Sequence, residues 1–327
     1  MLILTRSETL GRIDLEACVA AVEDAFRAHG LGRSLETRRV HVPALSGGVF
    51  HITVGGLESS VETGIVGVKV NGRFPPLEPG QGQRVSGTIL LADAANGQPL
   101  ALVDSMLVTS LRTAAVTVIA ARLLARAGSS QALLVGAGRQ ARTQIDALRL
   151  AGGIARVGVH DVSRERAEEV VAYASEQGLE SWFAPSVSEA ARESDVIVTI
   201  TPAVAPLLRD GDVTDGTLVV ALGADGPGKQ ELDPAILARA KVVVDVLEQA
   251  EESGELQHAL AAGLMTRDEV HAELGEVVAG VKPGRVDDAD TFVFDGTGTA
   301  LQDIAAASLL VAEARAQGLG TELDLAG

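Results

Sequence analysis

Gly136-Ala137-Gly138-Arg139-Gln140-Ala141 has the spacing G-x-G-x-x-A, and an acid, Asp161, stands twenty positions past Ala141. Small residues at those three places let a chain turn tightly after a strand, let its backbone approach a pyrophosphate, and let the next helix pack closely. The helix start then presents unpaired N–H groups and a partial positive charge to phosphate. A carboxylate at 161 would accept hydrogen bonds from an adenosine ribose diol and repel a 2′-phosphate, which favours NAD over NADP. The hexapeptide alone could equally be an ordinary glycine turn. Its setting carries the nucleotide reading: a buried-strand run Ala132-Leu133-Leu134-Val135 precedes it, and a helical pattern follows to about Leu150. Gly152-Gly153 closes that helix, and a second short strand, residues 156–160, runs into Asp161.

Other residues could act on a bound ligand. In a doubly wound sheet, ligands sit outside the carboxyl ends of the strands. That rule selects residues 136–141, 199–201 ending in Thr201, and the turn Gly223-Ala224-Asp225-Gly226-Pro227-Gly228. Asp225 is the only ionisable group in that turn before Lys229. It is either a general base or ammonium holder, or a turn aspartate bonded to its own backbone. Lys69 interrupts an apolar strand, residues 66–70, and so either snorkels to an edge or enters a cavity where desolvation makes it an acid or base. Arg112 falls in the first turn of a helix expected to begin at Thr109, where a cation opposes the helix dipole. That placement fits joint capture of an anion by Arg112 and the helix start; the alternative is a solvated surface charge. The six histidines (29, 41, 51, 160, 258 and 271) show no metal-ligand spacing, and no metal is expected. His41 and His51 fall on adjacent expected strands, facing either a site or the core.

The elements that must position these groups follow from periodicity. A helix is expected over 14–29, then β-like runs at 38–45, 49–54, 64–70 and 85–92, with Asn96-Gly97 as a hairpin turn before 100–103. Residues 1 to about 105 thus read as a helix and a mostly antiparallel sheet. After a long Ala-rich helix from Thr109 to Arg126, strands and helices alternate from 131 to 246, as a parallel doubly wound sheet requires. A last strand at 291–295 and a helix at 299–317 complete the pattern. The Pro/Gly-rich loop Pro75–Gly82 is a candidate flap over a site. At 327 residues the chain holds two domains. Its net charge of −17 and aromatic content of 2% argue against a nucleic-acid partner. A lone Cys18 permits neither an internal disulfide nor a thiolate metal cluster. The N-terminal stretch has neither a signal peptide nor a membrane anchor, so a soluble cytoplasmic protein is expected.

Together, several long segments resemble the ornithine cyclodeaminase/μ-crystallin family: GVKVNG at 67–72, residues 95–126, VGAGRQA at 135–141, LGADGPGKQELD at 222–233, VVDVLEQAEESGEL and FDGTGTALQD at 294–303. The resemblance implies an α/β fold in which a Rossmann NAD-binding domain (116–298) joins an α+β substrate-binding and dimerisation domain (1–115 with 299–327). It implies hydride transfer between a nicotinamide and the α-carbon of a small amino or imino acid, in a homodimer. Lys69 and Arg112 would bind the substrate carboxylate, with Arg39, or alternatively Arg38, as a third basic contact, and Asp225 would be the general base. The cofactor positions would be Thr113, Gly136, Ala137, Gly138, Gln140, Ala141, Asp161, Thr201 and Gly223. The GADGPGKQELD segment looks closest to an archaeal type of alanine dehydrogenase. His51 stands where that branch has Arg and ornithine cyclodeaminase has Glu, so the side-chain pocket differs. A dehydrogenase or imine reductase is the first reading. A cyclodeaminase that uses NAD catalytically is the second, and a non-catalytic NAD binder of crystallin type is the third.

Overall fold

The computed structural model describes residues 1–45, 47–58, 64–77 and 84–325. It divides into two compact units, Met1–Thr113 with Thr299–Gly327 and Ala114–Gly298. Along the chain, β1 (Leu2–Leu4), α1 (Arg6–Thr9) and α2 (Leu15–Gly30) precede β2 (Ser34–Pro43), β3 (Val49–Leu57), β4 (Ile65–Phe74), β5 (Arg84–Asp93) and β6 (Pro99–Asp104). Helix α3 (Ser105–Leu124) carries the chain from one unit into the other. There follow β7 (Gln131–Val135), α4 (Ala141–Ala151), β8 (Arg156–His160), α5 (Arg164–Glu176), β9 (Glu180–Phe183), α6 (Val187–Arg192) and β10 (Val196–Thr199). Next come β11 (Val204–Leu208), β12 (Leu218–Ala221), β13 (Gln230–Leu232), α7 (Pro234–Arg239), β14 (Lys241–Val244), α8 (Leu247–Ser253) and α9 (Leu256–Ala261). Then β15 (Ala272–Glu273), α10 (Leu274–Val278) and β16 (Phe292–Asp295) close the second unit, and α11 (Ala300–Ala316) and β17 (Thr321–Glu322) belong to the first.

The first unit is built on a seven-stranded sheet in the order β17-β1-β6-β5-β4-β3-β2. Strands β2 to β6 form an antiparallel meander, and β1 lies parallel to β6. Side chains alternate between the two faces of a strand. The register Arg39–Thr53–Lys69–Ile89–Val103 therefore puts these five residues on one face. Helix α11 packs on that face over Gly55 and Gly67. A Cβ on Gly55 would come 2.9 Å from Ala300 Cβ, and one on Gly67 would overlap Ile304 Cγ1. Glycine at both places lets the helix settle close enough for Asp303, between those two residues in sequence, to reach the sheet. The opposite face carries Val40, Val42, Ile52, Val54, Val66, Val68 and Val70, all partly or wholly exposed.

One helix boundary departs from the sequence reading. The expected start at Thr109 is one turn late: α3 begins at Ser105, where Asp104 Oδ1 accepts the Met106 N–H at 3.0 Å in the manner of a cap. Arg112 therefore lies in the helix interior, and opposition to the dipole no longer explains it. By length and composition α3 could cross a membrane, but it is mostly buried as a core helix. Of the flap expected at Pro75–Gly82, residues 78–82 lie outside the described residues.

The second unit holds eight parallel strands in the order β15-β14-β16-β12-β10-β7-β8-β9. From β7 the chain winds outward to β8 and β9, then returns to the other side of β7 as β10. The strand order thus reverses between β7 and β10, and in open sheets of this kind ligands bind at the carboxyl ends of the strands at such a switch point. Leu133, Val135, Ile197, Val219, Val242 and Val293 fill the core between layers, the pattern of strands covered on both faces. Three short helices, α8, α9 and α10, were not expected from periodicity: at five to seven residues they are too short to show it.

Candidate functional site

In the first unit, Lys69 and Arg112 come together on a carboxylate that sequence reading did not assign. Lys69 Nζ lies 2.6 Å from Asp303 Oδ2, and Arg112 Nε lies 3.1 Å from Asp303 Oδ1. Thr53 Oγ1 donates to Asp303 Oδ2 at 3.2 Å, and Arg112 Nη1 donates to Gln302 Oε1 at 2.9 Å. All three ionic groups are buried, with Lys69 at 5%, Arg112 at 8% and Asp303 at 1% exposure. Burial pushes the Lys69 ammonium down to about 8; Asp303 opposes that shift, and Arg112 and Arg39 reinforce it. Burial also works to raise Asp303, but Lys69 and Arg112 outweigh it and hold the carboxyl below its ordinary value. Two cations against one anion leave this group with a net positive charge in a low-dielectric setting, where a small carboxylate would be bound by charge-assisted hydrogen bonds. Arg112 Nη2 makes no hydrogen bond to any described residue, so one edge of its donor fork remains for such a ligand.

The register separates the two arginine alternatives. Arg39 faces the Lys69 side, whereas Arg38 points to the other face, exposed and paired with Glu36. His51 is directly opposite His41, one step along the sheet face from Thr53, and their rings meet edge-on at 4.7 Å. Thr113 sits in α3, where its hydroxyl donates to Thr109 O at 2.7 Å.

The second unit places the glycine turn at the end of β7. Gly136 has φ 114°, a conformation that favours glycine, and a Cβ there would come 2.8 Å from Ile200 O. At Gly138, by contrast, an added Cβ would meet nothing within 4 Å. No packing demands glycine there, which fits a ligand backbone passing close. Gln140 is the N-cap of α4 without capping through its side chain, and its buried Oε1 has no partner. The uncapped helix start fits a phosphate-bearing ligand. Asp161 already accepts from Ala137 N at 2.8 Å, Ser163 N at 2.8 Å and Arg166 Nη2 at 2.8 Å. Burial works to raise its pKa, but those bonds prevail and lower it. The Ala137 N–H is therefore engaged within the protein. Ala141 is fully buried under the helix start.

At the neighbouring strand ends, Thr201 and Gly223 are tied to a second carboxylate that sequence reading missed, Glu231, which is fully buried. In the turn beyond, Asp225 pairs with Lys229 and its side chain is 40% exposed. Neither Asp303 nor Glu231 stood out because each lies in a segment whose pattern reads simply as helix or turn. The available hint was an acid inside an otherwise apolar stretch, Ala300–Leu310 for Asp303.

Residues 1–318 match the ornithine cyclodeaminase/mu-crystallin family. The chain belongs to this family. Among its relatives, the alanine dehydrogenase of Archaeoglobus fulgidus is 38% identical over 324 residues, covering 98% of each chain. The iminosuccinate reductase of Paracoccus denitrificans is 34% identical over 331 residues, covering 99% of this chain and all of that one. Among solved structures, an archaeal alanine dehydrogenase dimer with bound NAD superposes with a TM-score of 0.92 at 37% identity, covering 99% of both chains. The family match takes in both units, including Lys69, Arg112, Asp303 and the glycine turn.

Proposed function

We propose that this protein is an NAD-dependent oxidoreductase that moves hydride between the nicotinamide and the α-carbon of a small amino or imino acid. The observation that carries this reading is the buried Lys69–Asp303–Arg112 group, a positive site for a carboxylate, in a chain whose family relatives are an alanine dehydrogenase and an iminosuccinate reductase. Residues 1–115 with 299–327 bind substrate, and 116–298 bind the cofactor. The open space at Gly138 and the uncapped α4 receive the pyrophosphate, and Asp161 favours a ribose diol over a 2′-phosphate.

The chemistry divides between the cofactor and the side chains. Bound NAD accepts or supplies the hydride. Arg112 and Arg39 orient the substrate carboxylate. Lys69, with a pKa of about 8, is charged at neutral pH and polarises the group on the α-carbon. Asp225 is the general base: in the oxidative direction it takes the proton as water adds to the imine. The balance is amino acid, water and NAD⁺ to 2-oxo acid, ammonium, NADH and a proton. An imine substrate in the reverse direction takes up hydride and a proton.

The enzyme works as a homodimer in the cytoplasm. The apolar outer face of the first unit's sheet supports the dimer, since Val40 is 51% and Val42 is 41% exposed on it; sedimentation velocity checks the assembly state. The deciding experiment records NADH absorbance and ammonia release together, with NAD and a panel of amino acids. Ammonia matched by NADH supports net oxidation. Ammonia without NADH would replace this reading with cyclodeamination, in which hydride returns within one turnover. Neither signal, with no NADH oxidation on cyclic imines, would leave a non-catalytic binder.

A further inference from the structure

Glu231 has four hydrogen-bond donors and no cation among its partners. Its Oε2 accepts from Thr199 Oγ1 at 2.7 Å and Gly223 N at 2.8 Å, and its Oε1 accepts from Thr201 N at 2.6 Å and Thr201 Oγ1 at 2.7 Å. The residue is fully buried. Burial drives its pKa up while those four bonds pull it back. An ionised carboxylate, which accepts without donating, can satisfy all four donors at once. Burying such a charge is costly, and well-packed apolar groups commonly serve stability as well or better. Stability alone therefore does not account for an acid at this position.

What the acid holds is specific. Strands β12, β10 and β7 are neighbours in the sheet, and their carboxyl ends lead into Gly223, Thr201 and Gly136. Glu231 bonds the first two directly. The third is packed against them, since a Cβ on Gly136 would come 2.8 Å from Ile200 O and 3.0 Å from Thr201 Cγ2. A Cβ on Gly223 would overlap both Thr201 O and the Glu231 carboxylate. These three strand ends are thus fitted around one carboxylate with no slack. The strand bearing Glu231 is itself pinned, because the buried Glu255 carboxylate accepts from Glu231 N at 2.7 Å and Leu232 N at 3.1 Å.

We infer that Glu231 is a positioning residue for the dinucleotide: without touching it, Glu231 sets the backbone wall formed by Thr201 and Gly223 against which the cofactor binds. This rests on the NAD reading above. Glu231 is fully buried and bonded to Thr199, Thr201 and Gly223, so its effect is transmitted through the groups it holds.

The test is fluorescence titration of the full-length protein with NADH, alongside steady-state kinetics. Glu231→Gln replaces an acceptor oxygen with an NH₂ that faces N–H and O–H donors. It is expected to raise the Kd for NADH and the KM for NAD at least tenfold, while the KM for the amino acid at saturating NAD stays within twofold. A folded Glu231→Gln protein with NADH affinity within twofold of wild type overturns the proposal, whatever its melting temperature. Should that variant not fold, Thr199→Val decides, since it removes one donor to Glu231 and leaves Thr201 and Gly223 intact. A Kd for NADH raised about threefold supports the proposal, and an unchanged Kd overturns it. Wild-type protein that fails to bind NADH would instead overturn the cofactor reading, a result separate from a variant that binds as wild type does.

Discussion

Replacing Asp303 with asparagine keeps the shape of the side chain and an oxygen to accept from Thr53, but removes the only anion paired with Lys69 and Arg112 among the described residues. Stranding one partner of a buried pair costs about 3–5 kcal/mol. At 1.36 kcal/mol per pKa unit, Lys69 escapes that cost by titrating about two to four units lower. Starting from about 8, the ammonium would then lose its proton near pH 6 or below. At pH 7.5 the protonated fraction falls from about three quarters to about 3% or less. If charged Lys69 is needed to polarise the substrate, kcat/KM at pH 7.5 drops about 25-fold or more, with recovery on acidification that wild type does not show. Stability has a matching signature. Lys69 titrates below its ordinary 10.5 in the folded protein, so its burial weighs fully against folding below pH 8, and the penalty is relieved as pH rises toward 10.5. In the variant the lower edge of that window moves down, so its stability deficit relative to wild type grows as pH falls from 8 to 6. Urea melts across that range and pH profiles of kcat/KM measure both effects. A variant with wild-type kcat/KM at pH 7.5 and an unshifted profile would show that Asp303 does not hold the charge on Lys69.

Two further outcomes follow from the site. Gly67→Ala should destabilise the protein by about 1–3 kcal/mol in urea melts, since its methyl group overlaps Ile304 Cγ1; Ile304→Ala in the same chain should restore much of the loss. Asp225→Asn should leave the melting temperature nearly unchanged, because a half-exposed ion pair contributes about 0–1 kcal/mol. Its oxidative kcat should fall about 100-fold or more if Asp225 is the base, and full oxidative activity would remove that role.

The alternation of strands and helices from 131 to 246 was legible because its strands are apolar runs, its longer helices α4 and α5 are amphipathic, and the short α7 is announced by Asp233-Pro234. The antiparallel meander was legible for a similar reason, with turn residues such as Asn96-Gly97 separating the runs. Elements without room for a period were not, such as β1 with three residues and α10 with five. The start of α3 was misread because Asp104-Ser105 follows directly on the strand run, and the cap signal there was absorbed into it. Within the site, Lys69 and Arg112 were visible as charges out of keeping with their surroundings. Their shared partner was hidden: Asp303 is 191 residues from Arg112 and 234 from Lys69, and only the close packing of α11 on Gly55 and Gly67 brings it to them. Glu231 was hidden differently. Its position in KQELD looks like a solvated turn, and its burial depends on strand ends about thirty residues earlier.

The packing of α11 also has a consequence for synthesis. The second unit is one continuous stretch, Ala114–Gly298, whereas the first needs Thr299–Gly327 as well. On the ribosome, the meander with Lys69 and the helix with Arg112 emerge early, yet the carboxylate that neutralises them arrives about 190 residues after the arginine. At 5–20 residues per second that is a wait of roughly 10–40 seconds. Through that interval the face awaiting α11 is uncovered and its two cations lack the anion they are buried with. The second unit can complete its sheet in the meantime. The order of emergence is thereby written into the chain: the stretch Ala114–Gly298 is complete before the first unit can be.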